Sequence, residues 1–336
     1  MNSREPLADS LGYRPDAPTG GVGVRTVGLV VPDIANPNVA PVVRGIEDTL
    51  DGHGLVPVIS ETRDNRTRAR RVLDHLLRRR VDAVITTATR SGDRTLVEEF
   101  ARHVPTVLAV RPLLDSGLAT VAGDDRMGAG MVAGHLAGLG HQRVAQLTGP
   151  RDVANFALRS EGFAVTAQRA GLRVLEIPET ASAPTLAEGR RLMLALLQRH
   201  PHPPTGVFAH NDLMAFGALA VLRKYGVACP DDLSLVGYDD SPAAALTHPT
   251  RSTVRLPALS WGAAPPRRRS GCWGGPRPIP GRCGCDRPWW YVARVPHRPA
   301  TVMSCSTVRG AERTPWPLRG AWFHETLGGP AANIHH

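Results

Sequence analysis

Polar side chains recur in this 336-residue chain at one kind of place, directly after short apolar runs. Val27-Gly28-Leu29-Val30-Val31 leads to Asp33 and Asn36, Val81 to Ile85 leads to Thr86 and Thr87, and Leu118-Ala119-Thr120-Val121 leads to Asp124 and Asp125. Gly206-Val207-Phe208-Ala209 stops at His210-Asn211-Asp212, and Leu233 to Tyr238 runs into Asp239-Asp240. Short apolar runs rich in β-branched residues read as buried strands, so these carboxylates, amides and hydroxyls collect at the carboxyl ends of strands. In an open parallel sheet that edge is where ligands bind. The chemistry such a set supports is hydrogen-bonded capture of a small polar molecule. The same residue types also cap helices by accepting from the first free N–H groups, and Asn211 and Asp239 are open to either role.

Catalysis and metal binding find less support. No nucleophile stands beside a base in an arrangement that would activate it, so an enzyme is not expected. His141 has no second His or carboxylate at ligand spacing, which leaves packing or capping. Cys283-Gly284-Cys285 has Cys-x-Cys spacing with no matching pair, an accidental cluster rather than a metal site. No metal and no cofactor are expected.

The elements that must position these residues alternate almost without exception. Val39, Val42, Val43, Ile46 and Leu50 recur at helical intervals, as do Val72, Leu73, Leu76 and Leu77, and Met214, Phe216, Leu219, Val221 and Leu222. A small-residue helix runs from Gly128 to Gly140, and another helix from about Thr185 to Gln198. Strands at Val56–Ser60, Thr106–Val110, Val144–Thr148 and Val174–Ile177 separate them. Such alternation predicts an α/β fold with parallel sheets covered by helices. The arginines between Arg63 and Arg80 suggest phosphate binding, but Asp64, Asp74 and Asp82 lie among them, and a solvated outer helix is the better reading.

The net charge of +10 does not describe the body of the chain. Residues 251–336 carry 13 Arg against 3 acids, all six Trp and four of the five Cys, while residues 1–250 hold 27 basic and 27 acidic side chains. Basicity is therefore no argument for nucleic-acid binding by the body. No run approaches the roughly 18 apolar residues of a membrane span, and the start carries no apolar segment that would serve as a secretion signal. No membrane partner and a cytoplasmic location are expected.

Several blocks together resemble the lac-repressor (LacI/GalR) family of bacterial transcription regulators. They are Phe208-Ala209-His210-Asn211-Asp212 with Met214-Ala215-Phe216-Gly217-Ala218, and Val236-Gly237-Tyr238-Asp239-Asp240. Asp124-Asp125-x-x-Gly128, Leu139-Gly140-His141 and Asn155-x-x-x-Arg159-x-x-Gly162-Phe163 extend the match, which runs from about Leu11 to Pro257. The resemblance implies two Rossmann-like subdomains of periplasmic-binding-protein type I, at 25–140 and 141–251, joined by a hinge within a core at 25–254. It implies a repressor controlled by a small-molecule effector, a sugar or related polyol, and a homodimer. By resemblance Arg159 reaches the effector, and a guanidinium fork can grip vicinal hydroxyls. Together with the strand-end reasoning this gives a ligand set of Arg159, Asn211, Asp239, Asp124, Asp125 and Asn36. Family members commonly carry aromatic residues after the Asn-Pro, where this chain has Asn38 and Val39, so stacking on a sugar ring is weaker if that segment lines the pocket. Ser252 to Arg255 resembles the segment where family chains cross back into the first subdomain.

Leu11-Gly12-Tyr13-Arg14-Pro15-Asp16 resembles the end of the family's DNA-reading domain, so residues 1–24 read as a remnant. Operator DNA is then a partner only if a helix-turn-helix is supplied upstream. After Leu256-Pro257 the apolar periodicity vanishes. Read one nucleotide earlier, Ser260 to Pro266 and Trp289 to Arg294 can encode strings like the family's last helix and last strand. Residues 255–336 therefore read as a frameshifted, irregular tail, and its loss of dimer surface argues against the dimer. The competing assignment is a periplasmic-type sugar-binding protein of a transporter, which shares the fold.

Overall fold

The computed structural model of the chain describes residues 25–200, 202–246 and 252–255, with the backbone of 302–303. The expected DNA-binding remnant at 1–24, most of the tail and the Cys283-Gly284-Cys285 cluster lie outside the described residues.

Two sheets carry the fold. The first is built from β1 (Arg25–Val31), β2 (Leu55–Glu61), β3 (Ala83–Thr86), β4 (Thr106–Ala109) and β5 (Ala119–Val121), all parallel, in the order β2-β1-β3-β4-β5. Helices α1 (Val39–Asp51), α2 (Arg66–Arg78) and α3 (Arg94–Ala101) make its crossovers. Helix α4 (Asp125–Gly138) leads to the second sheet, which contains β6 (Arg143–Leu147), β7 (Arg173–Leu175), β8 (Gly206–Ala209), β9 (Ser234–Asp239) and β10 (Ser252–Arg255). Its helices are α5 (Ala154–Arg169), α6 (Leu186–Arg199) and α7 (Asp212–Lys224). The order β7-β6-β8-β9-β10 repeats the first sheet position for position. In both sheets the strand order reverses beside the first strand, so each has a crevice at its carboxyl edge.

Central strands are apolar throughout because helices cover both faces; all four residues of β3 and of β4 are buried. One face of the first sheet packs Val84 and Leu108 against Leu73, Leu76, Leu96 and Phe100, and the other packs Ile85 and Val107 against Ile46 and Leu50. The second sheet does likewise, with Val207 and Leu235 against Leu192, Leu196 and Leu222, and Phe208 and Val236 against Val132, Leu136 and Phe163. Helix α2 starts where the Asn65 side chain accepts from Arg68 N at 3.0 Å and buries Ala69, Leu73 and Leu76 at helical spacing. Arg70, Arg71 and Arg78 face solvent, as an outer helix requires.

The structure departs from the sequence reading in four places. Helix α3 was not read, although Leu96, Val97 and Phe100 are its buried face. Helix α4 does not belong to a first subdomain ending at 140, because Ala129, Val132, Ala133 and Leu136 pack in the core of the second sheet. Strand β10 pairs in parallel with β9, so residues 252–255 complete the second sheet rather than returning to the first. Finally, Val302–Met303, inside the stretch read as irregular, form a short strand, β11, antiparallel to β10.

Helices α6 and α7 approach through glycine. A Cβ on Gly189 would overlap the Met214 carbonyl, and one on Gly217 the Leu186 carbonyl. Gly134 in α4 has open space around it. Gly189→Ala is therefore expected to lose about 1–3 kcal/mol in urea unfolding, the usual cost of overpacking. Gly134→Ala is expected to gain up to about 1 kcal/mol from helix propensity. Equal effects of the two substitutions would refute the close approach.

Candidate functional site

Helix α5 sets Asn155 and Arg159 one turn apart on one face, and Arg159 is deeply buried, with 2% of its side chain exposed. Its Nε donates to Asp125 Oδ1 at 2.8 Å, its Nη1 to the His210 carbonyl, and its Nη2 lies 3.5 Å from Asp239 Oδ1. The guanidinium sits 3.7 Å from the centre of the Tyr238 ring and 5.1 Å from that of Phe156. Burial disfavours its charge, but Asp125 and Asp239 more than offset this and hold the guanidinium above its ordinary range. Burial likewise raises the Asp125 carboxyl, with Arg159 pulling against it.

Asp239 ends β9 with φ at +106°, followed by Asp240 at +56°, and this left-handed pair turns the carboxylate into the cleft. There Asn38 Nδ2, at the start of α1, donates to Asp239 Oδ2 at 2.6 Å. Burial raises Asp239 to about 7; Arg159 opposes the rise, while Asp212 and Asp125 add to it.

A cavity of about 470 Å³ lies between the carboxyl edges of the two sheets. Of the sequence-selected residues, Asn36, Arg159, Asn211 and Asp239 line it. Asn36 Oδ1 accepts from Asn38 N at 3.0 Å. Asn211 serves α7 as its cap, accepting from Met214 N at 2.8 Å while its Nδ2 donates to the Pro184 carbonyl at 3.0 Å. Asp124 is not at the cavity wall: it is exposed and caps α4, accepting from Met127 N at 2.9 Å. Asp125 is also absent from the wall and acts behind it as the partner of Arg159. Thr87 lines the cavity but donates to the Val30 carbonyl at 3.3 Å, while Asp33 and Thr86 make local turns, accepting from Ala35 N and Ala88 N.

Sequence reasoning missed Val110, Arg111 and Ser241 at the wall and did not single out Asn155. It did mark Asn38 and Val39, and both line the cavity. Val110 has φ at +69°, and Arg111 N donates across it to the Ala109 carbonyl at 2.7 Å, a γ-turn of the rare positive-φ kind. No residue type announces such a turn, since valine disfavours it. Arg111 itself is buried against Asp64. Both buried histidines are structural. His210 Nδ1 accepts from Gly149 N at 3.2 Å, so its proton is on Nε2 toward Gln146 Oε1, and burial and Arg159 push it well below its ordinary value. His141 bridges Thr205 and Ser234 at the opposite edge of the second sheet from the cleft.

Two repeated α/β units facing each other across a cleft define a two-lobed ligand-binding protein of the periplasmic-binding type. Residues 133–265 match the periplasmic binding protein-like domain family. The HTH-type transcriptional regulator GalS of Salmonella typhimurium is 31% identical over 255 residues, covering 74% of each chain. Among solved structures, the transcriptional regulator CelR–cellobiose complex has a TM-score of 0.65 at 29% identity, covering 76% of this chain and 78% of that one. A LacI family regulator from Enterococcus faecium with bound ribose has a TM-score of 0.59 at 28% identity, covering 71% and 86%. The chain belongs to the LacI family of transcriptional regulators.

Asp239 gives the cleft a pH dependence whose sign is fixed by the direction of its shift. Its folded value of about 7 exceeds the ordinary 3.8, so the folded protein holds a proton that the unfolded chain releases in between. Stability from this group is present at low pH and is lost as pH rises through that window. In melts from pH 5 to pH 8, Asp239→Asn is expected to gain on the parent protein as pH rises. A difference that stays constant would remove the assignment.

Proposed function

We propose that this chain is the effector-sensing part of a repressor whose ligand, a sugar or related polyol, binds between the two α/β units. The observation that carries the reading is the Asn38–Asp239 hydrogen bond across the cavity, with Arg159 directly behind it. A ligand with hydroxyl groups supplies both donors and acceptors to such a set and replaces a contact between the units with contacts of its own. The cavity volume falls within the range of about 300–1,000 Å³ usual for small-molecule sites. The relatives are regulators, which favours this reading over a transporter's binding protein. Operator DNA is the second partner where a helix-turn-helix is supplied upstream, and the cytoplasm is where that partner would be met.

Ligand binding shifts the relation between the units, and in a dimer that shift is passed to the DNA-reading parts. Strand β2 is the edge of the first sheet, and it leaves Val56, Val58 and Ile59 between 41% and 48% exposed. An exposed apolar edge strand is a pairing surface, and we assign it to a second copy of the chain.

Ribose, cellobiose and galactose form the first ligand panel. At one hundred times its dissociation constant, a bound sugar stabilises by about 2.7 kcal/mol, which corresponds to a melting shift of about 5–10 °C for a protein of this size. No shift with any sugar at millimolar concentration would overturn the reading. The dimer is tested separately: sedimentation should give a dimer for the parent chain and a folded monomer for Ile59→Asp. Identical behaviour of the two would exclude the β2 surface.

A further inference from the structure

Two oxygen atoms in the cleft lack hydrogen-bond partners, and their chemistry narrows what the effector is. Asn155 Oδ1 and Ser241 Oγ are buried without a partner, in residues that are 4% and 3% exposed. Both residues belong to the second unit and both line the cavity. Buried polar atoms in native proteins are nearly always satisfied, so an exception at a cavity wall marks where another molecule completes the bonding. An amide oxygen can only accept, so that molecule must present a donor to Asn155; the Ser241 hydroxyl can give or take.

The rest of the wall restricts the ligand further. Each charged side chain on it already has an opposite partner: Arg111 has Asp64, Arg159 has Asp125 and Asp239, and Asp240 has Arg255. A charged ligand would meet no open counter-charge and would lose its hydration on entry. The first unit offers Val39, Pro41, Val42 and Val110, and the polar residues beside them already hold protein partners: Asn36 with the Asn38 backbone, Asn38 with Asp239, Thr87 with Val30 and Arg111 with Asp64.

We propose that the effector is an uncharged sugar carrying an apolar substituent. Its hydroxyl edge is held by Asn155 Oδ1 and Ser241 Oγ, and its apolar part lies on Val39, Val42 and Val110. This rests on the sugar reading above and makes Asn155 and Ser241 the residues that fix the ligand's orientation.

The test is calorimetric titration of the full chain with free glucose, galactose and ribose, their methyl and phenyl β-glycosides, and their phosphates. The phenyl glycoside of at least one sugar should bind at least tenfold more tightly than its methyl counterpart. Ser241→Ala and Asn155→Leu should each weaken that binding about three- to tenfold. Both variants should melt, without ligand, at or above the parent temperature, because they remove an unsatisfied atom. A structural role would instead lower the melting point. If free sugars or methyl glycosides bind as well as phenyl glycosides, or phosphates bind better, this inference falls while the sugar reading stands. If nothing in the panel binds, both fall.

Discussion

The cleft is organised around a cation that water scarcely reaches. Transferring a guanidinium into the interior costs several kcal/mol even after relaxation, and only close, hydrogen-bonded partners offset that. Arg159 obtains them from separate elements: Asp125 from the first turn of α4, the His210 carbonyl from the end of β8, and Asp239 and the Tyr238 ring from β9. None of these elements can shift without leaving a buried charge exposed to an unsatisfied neighbour. The carboxyl edge of the second sheet is therefore fixed from inside, and that edge is one wall of the cavity. Because Asp239 also accepts from Asn38, the same charge cluster reaches the first unit through a single intermediary.

The opposite wall carries a strained residue that its neighbours hold in place. Val110 on this wall, like Asp239 and Asp240 on the other, has positive φ and lines the cavity. Such conformations cost about 1–3 kcal/mol each and persist only where the surroundings over-determine them. For Val110 the surroundings are visible: Thr89 Oγ1 donates to the Arg111 carbonyl at 2.6 Å, and the Arg111 side chain is held by Asp64. A wall held on both sides of its strained residue does not reshape itself around a ligand. Preorganisation of this kind reduces the ordering cost of binding.

How much of this was legible depends on whether a residue's role is local. Strand and helix positions follow from apolar spacing, and Leu73, Leu76, Val84 and Val207 are core for the reason their periodicity gives. The strand-end rule reached Asn36, Asn211 and Asp239, and family likeness reached Arg159. Neither could separate a capping residue from a ligand residue, since Asp124 and Asn211 stand at the same kind of position and only one lines the cavity. The subdomain boundary was misplaced because α4 joins its core through Val132 and Leu136, contacts set by chain tracing rather than local pattern. Val110 gives no signal at all, because its conformation is imposed by Thr89, Arg111 and Asp64 from outside its own segment.

The contacts that cross the cleft differ from those that build its walls. Arg90 pairs with Asp152 through two hydrogen bonds of 2.7 Å, but the Asp152 side chain is 47% exposed, and exposed pairs contribute about 0.2–1 kcal/mol. Ser91 N donates to the Asp152 carbonyl at 2.7 Å, and Asn38 donates to Asp239. These few polar links can break without opening either apolar core, so the two units can change their relation while each stays rigid. Moving such an equilibrium from one arrangement almost wholly to the other takes about 5.5 kcal/mol of differential affinity, within reach of a ligand that fills the cavity. Asp239 is at once the partner of Arg159 and the acceptor for Asn38. A ligand competing for that carboxylate acts directly on the link between the units, and the signal needs no longer path through the protein to begin.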